Sequence, residues 1–127
     1  MRVLLDTHAF LWFVTDDPRL SRRARRAIVD AAEAWLSIAS CWEMAIKLSL
    51  GKLTLTSPID RFLSEQLAAN GLQLLHIELP HATRVAALAW HHRDPFDRLL
   101  AAQALAEDLT IVSSDRVFQK YGVPTVR

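Results

Sequence analysis

Short, mainly apolar runs alternating with longer helical stretches constrain this chain more than any other feature. Arg2–Leu5, Ala34–Ile38, Leu72–Ile77 and Thr110–Val112 are each too short for a helix and too apolar for a strand with one wet face. Strands of this kind are buried on both sides, as in a parallel sheet covered by helices. Between them lie helical stretches. Thr7–Val14 places Phe10, Phe13 and Val14 on one face. Ser21 is an N-cap for a helix through about Glu33, with Ala24, Ile28 and Ala31 inward and the arginines outward. Ser40–Leu50 is stopped by Gly51, and Pro58 opens a helix that runs to Asn70-Gly71. Pro80 begins a helix to about His92, and Asp94-Pro95 another that ends near Asp108. A short helix follows from Asp115, and Pro124–Val126 reads as an edge strand, where proline is tolerated. Right-handed crossovers then predict one three-layer α/β/α domain over residues 1–127, with a central parallel sheet of four to five strands.

Composition narrows the setting. Hydrophobic residues make up 51% of the chain, enough to bury a core, so a disordered chain is excluded. Cys41 is the only cysteine, so no internal disulfide can form and a reducing, cytoplasmic setting is expected. No apolar run approaches the roughly 20 residues that cross a bilayer, and Asp6 interrupts the N-terminus too early for a signal peptide, so no membrane association is expected.

In an open parallel sheet, ligands bind beyond the carboxyl ends of the strands. Asp6 ends the first strand, and Asp115 follows the fourth directly after Ser113-Ser114. Glu43 lies one turn into the helix after the second strand, and Asp97 opens the helix that leads back to the fourth. A helix of about 12 residues is roughly 18 Å long and a strand of 5 about 17 Å, so Asp97 should return to the same edge. Asp97, Leu100, Ala101 and Ala104 share one helical face, which turns the carboxylate inward. Each acid taken singly also reads as a cap: Asp6 and Asp115 as N-caps, Ser40-x-x-Glu43 and Asp94-x-x-Asp97 as capping boxes. Four acids at one edge exceed what capping requires. At about 5 Å and an effective dielectric near 20, each like-charge pair costs roughly 3 kcal/mol, so the cluster must take up protons or a cation. Carboxylates without Cys or His at matching positions suit Mg²⁺ or Mn²⁺ rather than zinc. Such an ion activates water against a phosphodiester, which points to hydrolysis of a nucleic acid backbone.

Other residues divide between structural and functional readings. Arg22, Arg23, Arg25 and Arg26 form either a solvated helix face or a phosphate contact, with Arg22 and Arg26 the candidates for substrate. Arg98, next to Asp97, is the stronger candidate for touching substrate or a partner's carboxylate. His91-His92 is expected to close a helix and favour its dipole. His8, beside Asp6, is read as solvent or core packing ahead of general base. Lys47, four residues after Glu43, is a helix surface pair or a moderator of the acidic site. Cys41 is expected to be buried rather than reactive. Trp12, Trp35, Trp42 and Trp90 are expected mostly in the core.

The segments Leu4-Leu5-Asp6-Thr7-His8, Ser40-Cys41-Trp42-Glu43-Met44-Ala45, Asp94-Pro95-Phe96-Asp97-Arg98-Leu99-Leu100 and Ser113-Ser114-Asp115 together resemble the PIN-domain family, and within it the toxin ribonucleases of bacterial toxin–antitoxin pairs. They stand in that family's order from end to end. The resemblance implies the parallel-sheet fold, Mg²⁺ or Mn²⁺, cleavage of single-stranded RNA, a homodimer and a small antitoxin that blocks the site. It implies Asp6, Glu43, Asp97 and Asp115 as the catalytic acids. By that resemblance Asp6 and Asp97 would be the direct metal ligands, and Asp115, a further candidate ligand, would with Glu43 complete the cluster or orient water. Thr7 and Ser113 would hydrogen-bond these carboxylates. Many relatives carry Thr or Asn before the last acid, where this chain has Ser113-Ser114. A phospho-accepting receiver domain has similar length, but it needs paired acids after the first strand, and here Asp6 stands alone. A binding-only module is disfavoured because all four acids are present.

Overall fold

The computed structural model describes residues 1–127. Five strands, β1 (Arg2–Leu5), β2 (Glu33–Ser37), β3 (Gln73–Leu75), β4 (Thr110–Val112) and β5 (Thr125–Val126), form one sheet in the order β3-β2-β1-β4-β5. Every neighbouring pair is parallel. The helices are α1 (Thr7–Val14), α2 (Arg22–Val29), α3 (Ile38–Ser49), α4 (Ile59–Asn70), α5 (Leu79–Arg84), α6 (Pro95–Glu107) and α7 (Val117–Lys120). This is the three-layer α/β/α architecture that the alternating pattern predicts. No helix is long and apolar enough to cross a membrane.

Two cores flank the sheet, and β1 feeds both because successive side chains point to opposite faces. Val3 and Leu5 join Ala9, Phe10, Ile28, Met44 and Phe62 on one side, while Leu4 joins Leu100, Ala104, Ile111 and Phe118 on the other. Val3, Leu4 and Leu5 have no solvent exposure. Burial of each such side chain stabilises the fold by roughly 1.5–3 kcal/mol, so β1 is anchored from both faces. The chain moves from β1 outward through β2 to β3, then returns to lay β4 on the other side of β1. That reversal opens a crevice between the carboxyl ends of β1 and β4.

Several boundaries shift from the sequence reading, each for a local reason. The helix begun at Ser21 ends at Val29, and Glu33 already belongs to β2, where it pairs with Arg2 in the β1 register and as a salt bridge. α3 starts at Ile38, capped by Ser37, whose Oγ accepts from the Ala39 N–H. Ser40-x-x-Glu43 is therefore no capping box, and Ser40 is buried with its hydroxyl unpartnered. The helix expected from Pro80 to His92 stops at Arg84; one 3₁₀ turn follows, and Leu88 is extended. The arrest follows from Arg98 of α6, whose guanidinium takes up the carbonyls of Val85, Leu88 and Ala89 that a longer helix would have used internally. α4 ends as expected, with Gly71 in the left-handed conformation at φ 63°. Trp42 and Trp90 are exposed at 59% and 79%, contrary to the core placement expected for them.

Candidate metal centre

Asp6 leaves β1 and caps α1. Its Oδ1 accepts from the Ala9 N–H at 2.8 Å, its Oδ2 from the Ser113 hydroxyl at 2.5 Å, and its own N–H donates to Val112 O at 3.1 Å. The acid is thereby tied to the end of β4 as well as to β1. Asp115 follows β4, accepts from the Val117 N–H at 2.9 Å, and is exposed. Its backbone N–H reaches Ser113 Oγ at 3.0 Å, so one serine hydroxyl connects both acids. Glu43, on the second turn of α3, is buried; its Oε1 accepts from the Thr7 hydroxyl at 2.6 Å and its Oε2 meets Lys47 Nζ at 2.8 Å. Asp97 sits in the first turn of α6, which Asp94 caps by accepting from the N–H groups of Phe96 and Asp97.

These side chains meet. Asp6, Thr7, His8, Glu43, Lys47, Asp94, Asp97, Ser114 and Asp115 line a cleft of about 350 Å³ that contains no hydrophobic residue. All four acids singled out from the sequence are in it, and Thr7 and Ser113 hydrogen-bond to two of them. Two further residues join that sequence reasoning had assigned elsewhere. Asp94, read as half of a capping box, also presents its carboxylate to the cleft. His92, read as the decoration of a helix end, lies in a loop with Nε2 2.9 Å from Asp97 Oδ2. His92, Asp94 and Asp97 form the tightest trio of potential ligand atoms, all within 4.8 Å of one another; Asp6, Glu43 and Asp115 do not belong to that trio. The Asp-x-x-Asp spacing was the signal available for Asp94. None existed for His92, whose approach depends on the broken helix.

The electrostatics follow from crowding acids in a partly dry site. Burial pushes the Asp6 carboxyl above its usual range, although the Ser113 and Ala9 hydrogen bonds and His8 pull it down; Asp115 adds to the rise. Asp97 is pushed up to about 6, first by burial, then by Asp94 and by Asp6, with His92 opposing. Each of the two acids is raised in part by a neighbouring carboxylate, Asp6 by Asp115 and Asp97 by Asp94 and Asp6, as crowding of like charges requires. Lys47 Nζ, 2.8 Å from Glu43 Oε2, supplies the cleft's one lysine charge. The donor set suits a hard divalent cation: carboxylate oxygens predominate, no thiol is near, and excess negative charge asks for neutralisation. Asp6, Asp94, Asp97 and Asp115 are the cleft carboxylates not matched by a lysine or arginine, and Asp97 is met by His92.

One expectation needs correction, and the remaining side chains fall among the alternatives left open for them. Arg98 does not face the cleft: it is 3% exposed, donates to the carbonyls of Val85, Leu88 and Ala89 and to the Tyr121 hydroxyl, and lies 3.9 Å from the Trp90 ring centroid. Contact with substrate or partner is closed to a guanidinium so enclosed. Lys47 lines the cleft and pairs with Glu43, in line with the second of its two readings, a moderator of the acidic site. His8 is exposed at the cleft rim and stacks on Trp12 at 5.6 Å. Cys41 is half-buried and its thiol is pushed up to about 11 by burial, which keeps it protonated at neutral pH, as expected of an unreactive cysteine. Arg22, Arg23 and Arg26 are exposed on α2 with no carboxylate partner, whereas Arg25 pairs with Asp16 at 3.2 Å.

Fold and site together define a class, the small α/β domains that gather carboxylates where a parallel sheet reverses its strand order. Comparison with known proteins then gives the family. The PIN domain model matches residues 3–124, and the chain belongs to the PIN domain family. It is 31% identical over 122 residues to the ribonuclease VapC22 of Mycobacterium tuberculosis, covering 96% of this chain and 93% of that one. Among solved structures, VapBC2 from Rickettsia felis bound to a promoter DNA fragment matches at TM-score 0.74 and 15% identity, over 99% of this chain and 98% of that one. DNA-bound VapBC from Salmonella typhimurium matches at 0.71 and 17%, over 99% and 97%. At these identities the structural matches speak to the fold.

Proposed function

We propose that the protein is a divalent-metal-dependent endoribonuclease and the toxin of a toxin–antitoxin pair. The observation that carries this reading is the wholly polar cleft at the sheet's switch point, where Asp6, Glu43, Asp97 and Asp115 stand together. The relative named a ribonuclease, the VapBC neighbours, and a Klebsiella pneumoniae neighbour named as a toxin–antitoxin complex support it. Mg²⁺ or Mn²⁺ is the cofactor, held by Asp6, Asp97 and Asp115. When bound, such an ion makes water a stronger nucleophile at neutral pH and stabilises charge on the phosphoryl oxygens.

The chain's own residues divide the remaining work. Ser113 and the Ala9 N–H fix both oxygens of Asp6, so this carboxylate needs no reorganisation before reaction. Glu43, oriented by Thr7 and Lys47, takes the proton of the attacking water as the new P–O bond forms; the bond to the ribose oxygen breaks, and that oxygen leaves as a hydroxyl with a proton from solvent water. Lys47 Nζ, in the same cleft, meets the charge that grows on the phosphate. Arg22 and Arg26 contact the RNA backbone from α2. The protein acts in the cytoplasm as a homodimer, and a small antitoxin protein inhibits it by covering the cleft.

Asp6→Asn and Asp97→Asn are expected to lower RNA cleavage in Mg²⁺ or Mn²⁺ by ~100-fold or more, since several kcal/mol of transition-state stabilisation goes with the ion. Their circular dichroism spectra should stay native. Cleavage by both variants at the wild-type rate would refute the site. Arrest of growth on expression, relieved by the product of a short neighbouring reading frame, tests the toxin role; cleavage without arrest would indicate housekeeping RNA processing.

A further inference from the structure

The acidic cleft opens sideways into a different environment. Ser114, on its rim, also lines a cavity of about 550 Å³ between α1, the turn before α2, and the β4–β5 edge. Every charged side chain lining that cavity is a cation: Arg19, Arg23 and Arg127. Arg19 is held by Asp17 at 2.7 Å, with its guanidinium 5.1 Å from the Trp12 ring centroid, and Asp17 itself does not line the cavity. Arg23 is exposed and has no carboxylate partner. The wall between the two sites is continuous, because Trp12 lines the basic cavity and stacks at 14° on His8, which lines the acidic cleft. Arg23 also borders the outer ridge of α2, with Arg22 and Arg26.

We infer that this cavity is a phosphate subsite, holding the phosphodiester beside the one that is cut. The inference rests on the ribonuclease reading and adds to it the path of the strand. A polyanion drawn to five carboxylates and one lysine needs compensating cations close by. They lie on this side, joined to the cleft through Ser113 and Ser114. Arginine forks suit phosphate oxygens and leave the bases unread, so the subsite takes backbone without regard to sequence. From it the strand continues past Arg23 onto the α2 ridge. An acidic polypeptide offers similar charge, but nothing in it requires simultaneous access to the acidic cleft.

The test is binding of a labelled ten-nucleotide RNA to the full chain in excess chelator, where cleavage is silent, read by fluorescence anisotropy across a salt series. Arg23→Gln should weaken binding by about tenfold at low salt and reduce the log–log salt slope by about 0.7, the value for one phosphate on a single strand. Arg61→Gln, an exposed arginine of α4 paired with Glu65, should change neither. If Arg23→Gln behaves like Arg61→Gln while the wild type cleaves RNA in Mg²⁺, the subsite is wrong and the nuclease reading stands. If Arg23→Gln loses binding while the wild type cleaves nothing, the RNA path stands and the nuclease reading falls. Polyglutamate bound as tightly as RNA, with the same dependence on Arg23, would assign the cavity to a protein partner and overturn the proposal.

Discussion

At the scale of single residues, the cleft works against the stability of the fold that carries it. Burial, with Asp94 and Asp6 close by, pushes the Asp97 carboxyl up to about 6 in the folded chain from an ordinary 3.8. Between those values the native state holds a proton that the unfolded state has lost. Stability from this group therefore falls as pH rises from about 4 to 6, and the loss is complete above that window. Asp6 shifts in the same direction. In metal-free protein, Asp97→Asn should raise the unfolding free energy read from urea titration at pH 7.5 by an amount on the order of 1–2 kcal/mol. The gain should vanish by pH 4. Destabilisation at pH 7.5 would mean that the His92 contact outweighs the buried charge, contrary to this account. The same proton competes with a cation, so metal affinity should weaken below about pH 6.

At the scale of elements, the strands and the acids were legible in the sequence and the loop beside them was not. β1 and β4 are short, apolar and followed by acids, and they fall where the pattern places them. Asp97 is legible because its face is marked by Leu100, Ala101 and Ala104, all buried. Arg98 misleads because adjacency to an acid is one-dimensional. One step along a helix turns the side chain through about 100°, and here that step leads under Trp90 instead of into the cleft. Nothing in Ala82–His92 announces that the helix breaks at Arg84, since the cause is a guanidinium supplied by another element. Arg98→Met should leave the carbonyls of Val85, Leu88 and Ala89 without their donor, at a cost of about 2–4 kcal/mol. Chemical denaturation would measure it. Limited trypsin digestion should cut faster after the exposed Arg93; an unchanged midpoint and an unchanged digest would show that the arginine does not hold the loop.

At the scale of the whole molecule, ion binding and folding are linked, because the acids are assembled only in the native state. Mg²⁺ or Mn²⁺ at a hundredfold excess over its dissociation constant should stabilise the fold by about 2.7 kcal/mol, which is roughly 10 °C in Tm for a chain of this size. Thermal melts with and without chelator check this. A Tm indifferent to the ion, or an equal rise in Asp6→Asn, would remove the metal from the site. The backbone bond from Asp6 to Val112 O has a broader consequence. It fastens the reactive edge to the two strands at the middle of the sheet, while the unpaired arginines ride on an outer helix. Changes of charge on that helix can therefore leave the carboxylates in place, whereas a shift of either central strand carries Asp6 away from its partners.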